Sequence, residues 1–443
     1  MSFKRKRRVL PSATVRASIE SLTHDGRGIA RVDGKPVFMH GTLPGEDVSF
    51  LYTDIRRDYA EGKVETLHST ASGRVEPRCP SYGVCGGCSF QHVADEAQIE
   101  FKQALLVEQF RRIAKIEEVP LIPPLTGPSW GYRHKARLGV KHVAKKGRVL
   151  VGFRERSSPF VADLEFCPVL HPKVGGRLHE LSDLIGGLSI RDRLPQIEVA
   201  VGDDRVALVF RILEDMTEED RQRLTDFGQG FDFDIYVQRH GPDSVTPVYP
   251  DQPELLAYAL PAEGVEFRFK PTDFTQVNIE INRKMVSRVM ELLNPQPGER
   301  ILDLFCGIGN FTLPLATRAG HVVGVEGGRE AVERANENAA SAGLNNVEFH
   351  VADLTQSLDG RAWAEGHYDK VLLDPSRVGA EEVLAGIPRW GASRIVYVSC
   401  NPATLARDAG ILVHEYGYRL VKAGVMDMFP QTAHVESIAL FEK

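Results

Sequence analysis

The chain has 443 residues and six cysteines, three of which fall within ten positions: Cys79, Cys85 and Cys88 in "CPSYGVCGGC". Thiols at that density either pair as disulfides or hold a metal, and the redox compartment decides which. The N-terminus reads "MSFKRKRRVLPSATV", where a basic run at residues 4–8 is not followed by the apolar stretch of an export signal. The expectation is therefore a cytoplasmic chain with reduced thiols. Three cysteines spaced C-x5-C-x2-C cannot close a four-thiolate site alone, and Cys167 in "LEFCPV" is the natural fourth ligand. Tetrahedral zinc and a [4Fe-4S] cluster both accept four thiolates, and the residue types do not separate them.

A different chemistry is suggested near the C-terminus. "VYVSCNPATLARD" ends an apolar, strand-like run on Cys400 and follows it with Asn401 and Pro402, which open a helix. A lone cysteine is more often a small buried hydrophobe. Here the strand end turns the thiol toward a cleft, and the following helix N-terminus is expected to lower its pKa.

The elements that must position this thiol alternate strand and helix from about residue 276. "RILDLFC", "HVVGVE", "VEFHVAD", "KVLLDPS" and "RIVYVSC" read as strands, with helices over "NFTLPLATRA" and "REAVERANENAASAG". The strands end in succession on Asp303, Glu326, Asp353, Asp374 and Cys400, the edge where open α/β sheets bind ligands. "DLFCGIGNF" offers Gly307 and Gly309 for close backbone approach but lacks the third glycine of a dinucleotide fingerprint. Glu326, 23 residues after Asp303, is placed for two ribose hydroxyls and would repel a 2'-phosphate, which disfavours NADP. Each acid alone could be a mere helix cap. The ordered set resembles a class I methyltransferase that uses S-adenosyl-L-methionine. That resemblance implies Phe305 and Asn310 in the cofactor loop, Glu326 at the ribose and Asp353 toward the adenine.

A methyl donor beside a thiol suggests pyrimidine chemistry. C5 of uracil is a poor nucleophile until a thiolate adds at C6, and a base must then take the C5 proton before the sulfur can leave. Glu436, in "MFPQTAHVESIALFEK", is a carboxylate available for that step. "YVSCNPATLARD" and "DMFPQTAHVES" resemble the RNA uracil-5-methyltransferase family, and the resemblance implies Cys400 as nucleophile and Glu436 as base. "TDFTQVN" matches the family's FxQVN segment and implies Gln276 at the cofactor and substrate cleft. Asp374 falls in the family's Asp-Pro-Pro-Arg position, but the chain reads "DPSR", so Ser376 puts the rigidity of that loop in question. The cysteine pattern is similar to the [4Fe-4S] site of the members that act on 23S ribosomal RNA, which implies Cys79, Cys85, Cys88 and Cys167 as ligands. It does not resemble the C-x3-C-x2-C of radical enzymes, so the implied role is a staple. Cys306 has no such match and reads as structural.

Upstream, residues 12–68 alternate in short runs broken by Gly, Asp and Pro, as in a small antiparallel barrel. The barrel resembles a TRAM domain, an RNA-binding module of oligonucleotide-binding type. Transfer-RNA members of the family lack both barrel and cysteine cluster, so having both implies the 23S ribosomal RNA branch. "ADEAQIEFKQALLVEQFRRIAKI" has helical spacing and predicts a helix over 95–117, packing on the catalytic part. Net charge is -6, yet residues 131–160 carry nine Lys or Arg against one Glu, which suits phosphate contacts as well as a solvated hairpin.

The expected architecture is a TRAM barrel (1–72), a central β-rich iron-sulfur domain with the basic stretch (73–271) and a Rossmann-like α/β class I methyltransferase domain (272–443). The expected substrate is a looped or single-stranded uridine of 23S ribosomal RNA, flipped into the cleft. No membrane and no obligate protein partner are implied. Three rival readings are a non-catalytic iron-sulfur RNA-binding regulator, a transfer-RNA uracil methyltransferase, and an amine or cytosine methyltransferase. Arg377 disfavours the amine reading, because it stands where amine-directed enzymes carry an aromatic after their Asp/Asn-Pro-Pro.

Overall fold

A computed structural model describes residues 10–443; the basic run at residues 4–8 lies outside them. The chain divides into two compact units. One contains the chain up to Phe101 with Arg154–Phe160 and Pro430–His434; the other contains Lys102–Phe153, Val161–Phe429 and Val435–Lys443.

In the first unit six strands form one sheet, in the order Val15–Ser18, Asp47–Ile55, Ala60–Leu67, Lys35–Met39, Gly28–Val32 and Ser21–Leu22. Val15–Ser18 pairs with Asp47–Ile55, and Ser21–Leu22 just beyond it pairs with Gly28–Val32, which closes the sheet into a barrel. One pairing, Lys35–Met39 with Ala60–Leu67, is parallel rather than antiparallel. Alternate residues fill the interior: Ile19, Ala30, Val37, Met39, Val48, Phe50 and Ala60. The cysteine segment follows as loop. Glu46, fully buried, accepts from the backbone N–H of Leu43 (2.7 Å) and Ala71 (3.2 Å) and from Arg74, fastening the start of that segment to the barrel.

The second unit carries two larger sheets. A mixed six-stranded sheet runs Val245–Tyr249, Phe233–Gln238, Val206–Arg211, Gln196–Val201, Lys135–Val143 and Arg148–Gly152. The basic stretch forms its last hairpin, and much of its charge is used within the protein. Arg137 pairs with Glu198, Lys146 and Arg148 pair with Asp163, and Lys135 turns inward to donate to the carbonyls of Pro271 (2.5 Å) and Asp273 (2.6 Å). Lys141 and Lys145 are exposed.

The seven-stranded sheet runs Val347–Val351, His321–Glu326, Arg300–Leu304, Lys370–Leu373, Arg394–Ser399, Glu436–Glu442 and Arg419–Met426. The first five strands are parallel, and Glu436–Glu442 is antiparallel to both its neighbours. Central strands covered on both faces must be apolar throughout, and Ile395, Val396, Tyr397 and Val398 are all buried. Helix Ile279–Leu293 covers one face through Ile281, Met285, Val289 and Leu292; Asn278 caps its start, and Asn294, in left-handed conformation, ends it. Each of those large apolar side chains contributes about 1.5–3 kcal/mol by leaving water.

The predicted helix over 95–117 is shorter. It runs Asp95–Gln109, continues as one π-helical turn over Phe110–Ala114 and stops at Lys115, whose left-handed φ of 58° aims its N–H at the Phe110 carbonyl. Its C-terminal end lies on helix Pro402–His414, where the His414 ring meets the Ala114 carbonyl at 2.7 Å. No helix among the described residues is long and apolar enough to cross a membrane.

Candidate active site

Antiparallel register brings the nucleophile and base candidates together. Ser399 pairs with Ser437 at the end of the ladder, so one step further Cys400 falls opposite Glu436. Two residues 36 apart in sequence are thereby neighbours on one strand end. Cys400 directly follows its strand, Asn401 caps the next helix by accepting from the Ala403 N–H at 3.1 Å, and Pro402 takes the first helical position, where no donor is needed.

The same helix start rigidifies the "DPSR" loop. Asn401 Nδ2 donates to the Arg377 carbonyl at 3.0 Å, Arg407 donates to the Val378 carbonyl at 3.0 Å, and buried Asp408 accepts from the Ala380 N–H at 2.7 Å and the Tyr397 hydroxyl at 2.6 Å. The rigidity that a second proline would supply comes instead from hydrogen bonds, and Ser376 leaves the loop fastened.

The electrostatics differ from the sequence expectation. Burial pushes the Cys400 thiol up to about 11, with Glu436 and Asp374 adding to the rise and Arg377 opposing it. The helix N-terminus does not prevail, because two carboxyls face the sulfur and water is largely excluded. Glu436 is pushed up to about 8 by burial and by Asp374, against Arg377 and Lys102. Asp374 rises to about 8 by burial, with Asp303 and Glu326 adding. Asp303 rises to about 7 by burial; one oxygen accepts from the Thr312 hydroxyl at 2.5 Å and the other has no partner.

The cofactor loop has the conformation its glycines predict. Phe305, Gly307 and Gly309 all have positive φ, and a Cβ on Gly307 would meet nothing within 4 Å, so the backbone there faces open space. Glu326 accepts from the Gly307 N–H at 3.2 Å and the Gly328 N–H at 2.9 Å, which sets its carboxylate at the loop mouth. Exposed Asp353 accepts from Thr355, which holds its carboxyl below the usual range. Asn310 is engaged inward, in a reciprocal amide pair with Asn282 (3.0 Å each way) and with the Tyr258 hydroxyl at 2.9 Å. Gln276 is half-buried, Phe274 beside it is 74% exposed, and Asn278 begins the helix that follows. This segment is held by Lys135 at Pro271 and Asp273, by the His134 N–H donating to the Val277 carbonyl at 2.7 Å, and by a buried Arg334–Asp273 ion pair at 3.2 Å.

Cys79, Cys85, Cys88 and Cys167 are buried, as is Cys306, whereas Cys400 is partly exposed; none of the six is disulfide-bonded. Gly87 donates its N–H to the Cys85 sulfur at 3.4 Å, and burial pushes the Cys85 thiol up, with Cys79 adding to the rise. Gly86 donates to the Arg154 carbonyl (2.9 Å) and Arg156 to the Cys88 carbonyl (2.7 Å). Among the described residues, no three His, Cys, Asp or Glu side chains stand gathered to hold a metal ion. Water is excluded from these thiols, and one N–H points at a sulfur, that of Cys85.

Sequence reasoning missed Lys102, Lys135 and Asp408. Lys102 was discoverable, since Gln98, Lys102, Leu106 and Phe110 recur at four-residue spacing and form one fully buried row. Lys135 was hidden inside a basic stretch read as a surface.

Comparison with known proteins extends these observations. A profile of the family described as tRNA (uracil-5-)-methyltransferase matches residues 189–443, and a TRAM domain profile matches residues 8–64. The 23S rRNA (uracil(1939)-C(5))-methyltransferase RlmD of Methylococcus capsulatus is 61% identical over 443 residues, covering 100% of both chains. The protein of the same name from Alkalilimnicola ehrlichii is 55% identical over 439 residues, covering 99% of each. Among solved structures, the Pyrococcus abyssi tRNA (uracil-54, C5)-methyltransferase in complex with S-adenosyl-L-homocysteine aligns with a TM-score of 0.74 at 26% identity, covering 96% of this chain and 100% of that one, so the expectation that transfer-RNA enzymes share only the catalytic half does not hold.

Proposed function

Because the chain belongs to the RNA uracil-5-methyltransferase family, we propose that it methylates C5 of one uridine in 23S ribosomal RNA, the counterpart of the uracil 1939 for which its relatives are named. The observation that carries this reading is the ladder register that sets Cys400 opposite Glu436 at the end of a methyltransferase sheet.

S-adenosyl-L-methionine supplies an electrophilic methyl carbon on a positively charged sulfur. The residues that would hold it are Phe305 and Asn310 in the loop, Glu326 at the ribose, Asp353 at the adenine side, and Asp374 and Gln276 toward the reacting centre. Cys400, as thiolate, adds to C6 of a uridine unstacked from its RNA, and the electron pair moves to make C5 nucleophilic. With the methyl group received at C5 and its donor released as the neutral thioether, Glu436 would remove the C5 proton, and the C6–sulfur bond would break to restore the ring and the thiolate. Arg377 faces both reacting side chains and opposes the rise in their pKa values. On this reading the protein works in the cytoplasm, where ribosomes are assembled.

Cys79, Cys85, Cys88 and Cys167 are proposed to hold a [4Fe-4S] cluster that staples the fold and takes no part in methyl transfer. The support is the cysteine pattern, the burial of all four thiols and the N–H donated to Cys85 sulfur. The barrel (1–72), the cysteine and basic region (73–271) and the methyltransferase region (272–443) divide the labour as RNA contact, support and chemistry.

The testing variant is Cys400→Ala. It is expected to bind S-adenosyl-L-methionine and melt like the wild type while methylating no RNA. Methylation at the wild-type rate by this variant would overturn the covalent route.

A further inference from the structure

Lys102 is fully buried and lies in the same compact unit as the reacting residues. Its ammonium donates to Asp427 Oδ1 at 2.6 Å and to the Phe429 carbonyl at 3.1 Å. Asp427 follows Met426, and Met426 is the residue directly opposite Glu436 in the last ladder. The Asp427 N–H in turn donates to the Leu125 carbonyl at 2.8 Å. A buried cation thus grips the chain where it leaves one strand, and nine residues later that chain returns as Glu436.

Burying a lysine is costly unless it is paired and hydrogen-bonded, and a hydrophobic side chain in this row would pack at least as well. Its place is better explained by its position than by stability. The groups facing Glu436 are Cys400 on the neighbouring strand, Asp374 and Arg377 on the "DPSR" loop, and Lys102 on the helix beneath. Of the two cations, Arg377 is exposed and opposes the rise of Glu436 the more strongly, and Lys102 adds to it from a fully buried position.

We propose that Lys102 is a positioning residue for the proton-removal step: clamped to Asp427, it fixes the turn from which Glu436 returns and adds a buried positive charge to that of Arg377, favouring the carboxylate that accepts the C5 proton. This rests on the reading of Glu436 as the base. Lys102 touches no reacting atom, and its effect passes through Glu436.

The test follows, in single turnovers of the full-length protein with S-adenosyl-L-methionine and a uridine-containing 23S RNA fragment, the rate at which the methylated RNA–protein adduct resolves as pH is varied. Lys102→Met with Asp427→Asn removes both charges while filling the space. It is expected to bind S-adenosyl-L-methionine like the wild type and to form adduct normally. Resolution at pH 7 should be about tenfold slower, with the pH profile displaced upward by about one unit and the rate recovered above pH 9. Asp427→Asn alone leaves the cation without its partner and should displace the profile downward. Opposite displacements support the proposal, and two profiles coinciding with the wild type overturn it. Glu436→Gln is run in parallel. Normal resolution there overturns the base assignment itself, whereas trapped adduct with undisplaced Lys102 and Asp427 profiles overturns only the role of Lys102.

Discussion

At the residue scale, the cleft is built from side chains whose charge states are displaced from their ordinary values. Glu436 must be ionised to accept a proton, and burial has pushed it up to about 8. Resolution of the methylated adduct is therefore expected to accelerate about tenfold per pH unit below that value and to level off above it. A flat profile between pH 6 and 9 would contradict the assignment. Glu436→Gln should accumulate adduct, visible as a slow-migrating protein band in a denaturing gel. The same burial has a stability consequence. A carboxyl raised in the folded state stabilises the fold below its unfolded pKa and loses that contribution as pH rises through the folded value. With Asp374 and Glu436 both raised to about 8, the ligand-free protein should lose thermal stability between about pH 4.5 and 8. Glu436→Gln should weaken that dependence and melt higher than wild type above pH 8. Equal melting profiles for variant and wild type would count against the buried carboxyl.

At the element scale, most of the site could be read from the sequence, because strand ends are marked by a change from apolar runs to single reactive residues. Glu326, Asp374 and Cys400 stand at or just past the ends of parallel strands, and Asp303 one residue before the end of its own, as the pattern predicts. The last two runs, "RLVKAGVMDMF" and "SIALFEK", could be read as an antiparallel edge pair, and they form one; what could not be read was the pairing of the last strand with Arg394–Ser399. That Glu436 meets Cys400 depends on a ladder between segments distant in sequence, and only the resemblance to a family supplied it in advance. The fastening of the "DPSR" loop was hidden for the same reason, since Asp408 reads as one more helix residue. It accepts from Ala380, Tyr397 and Arg407 while fully buried. Asp408→Ala strands a backbone donor and a tyrosine hydroxyl, each costing about 1–3 kcal/mol. The variant is expected to melt several degrees lower and to lose activity beyond what its stability loss explains. A variant with unchanged melting and turnover would show the loop needs no such anchor.

At the scale of the whole molecule, a barrel of RNA-binding type and a methyltransferase sheet occur in one chain, with the proposed cluster cysteines between them in sequence. Anaerobically purified protein should be brown, with a broad visible absorption and about four irons per chain, and Cys85→Ser should remove both. A colourless, zinc-containing wild type would redirect the cysteine site to zinc. The basic stretch shows where reading by composition fails, since Lys135, Arg137, Lys146 and Arg148 serve the fold and only some of that charge remains for phosphate. The central claim is a transient bond between the sulfur at position 400 and C6 of uracil, and 5-fluorouridine RNA tests it most directly, because fluorine at C5 cannot leave as a proton and the adduct persists. Mass spectrometry of the digested complex is expected to find the peptide containing Cys400 joined to a methylated fluorouridine nucleotide. Recovery of that peptide unmodified, from enzyme that has methylated normal RNA under the same conditions, would contradict it.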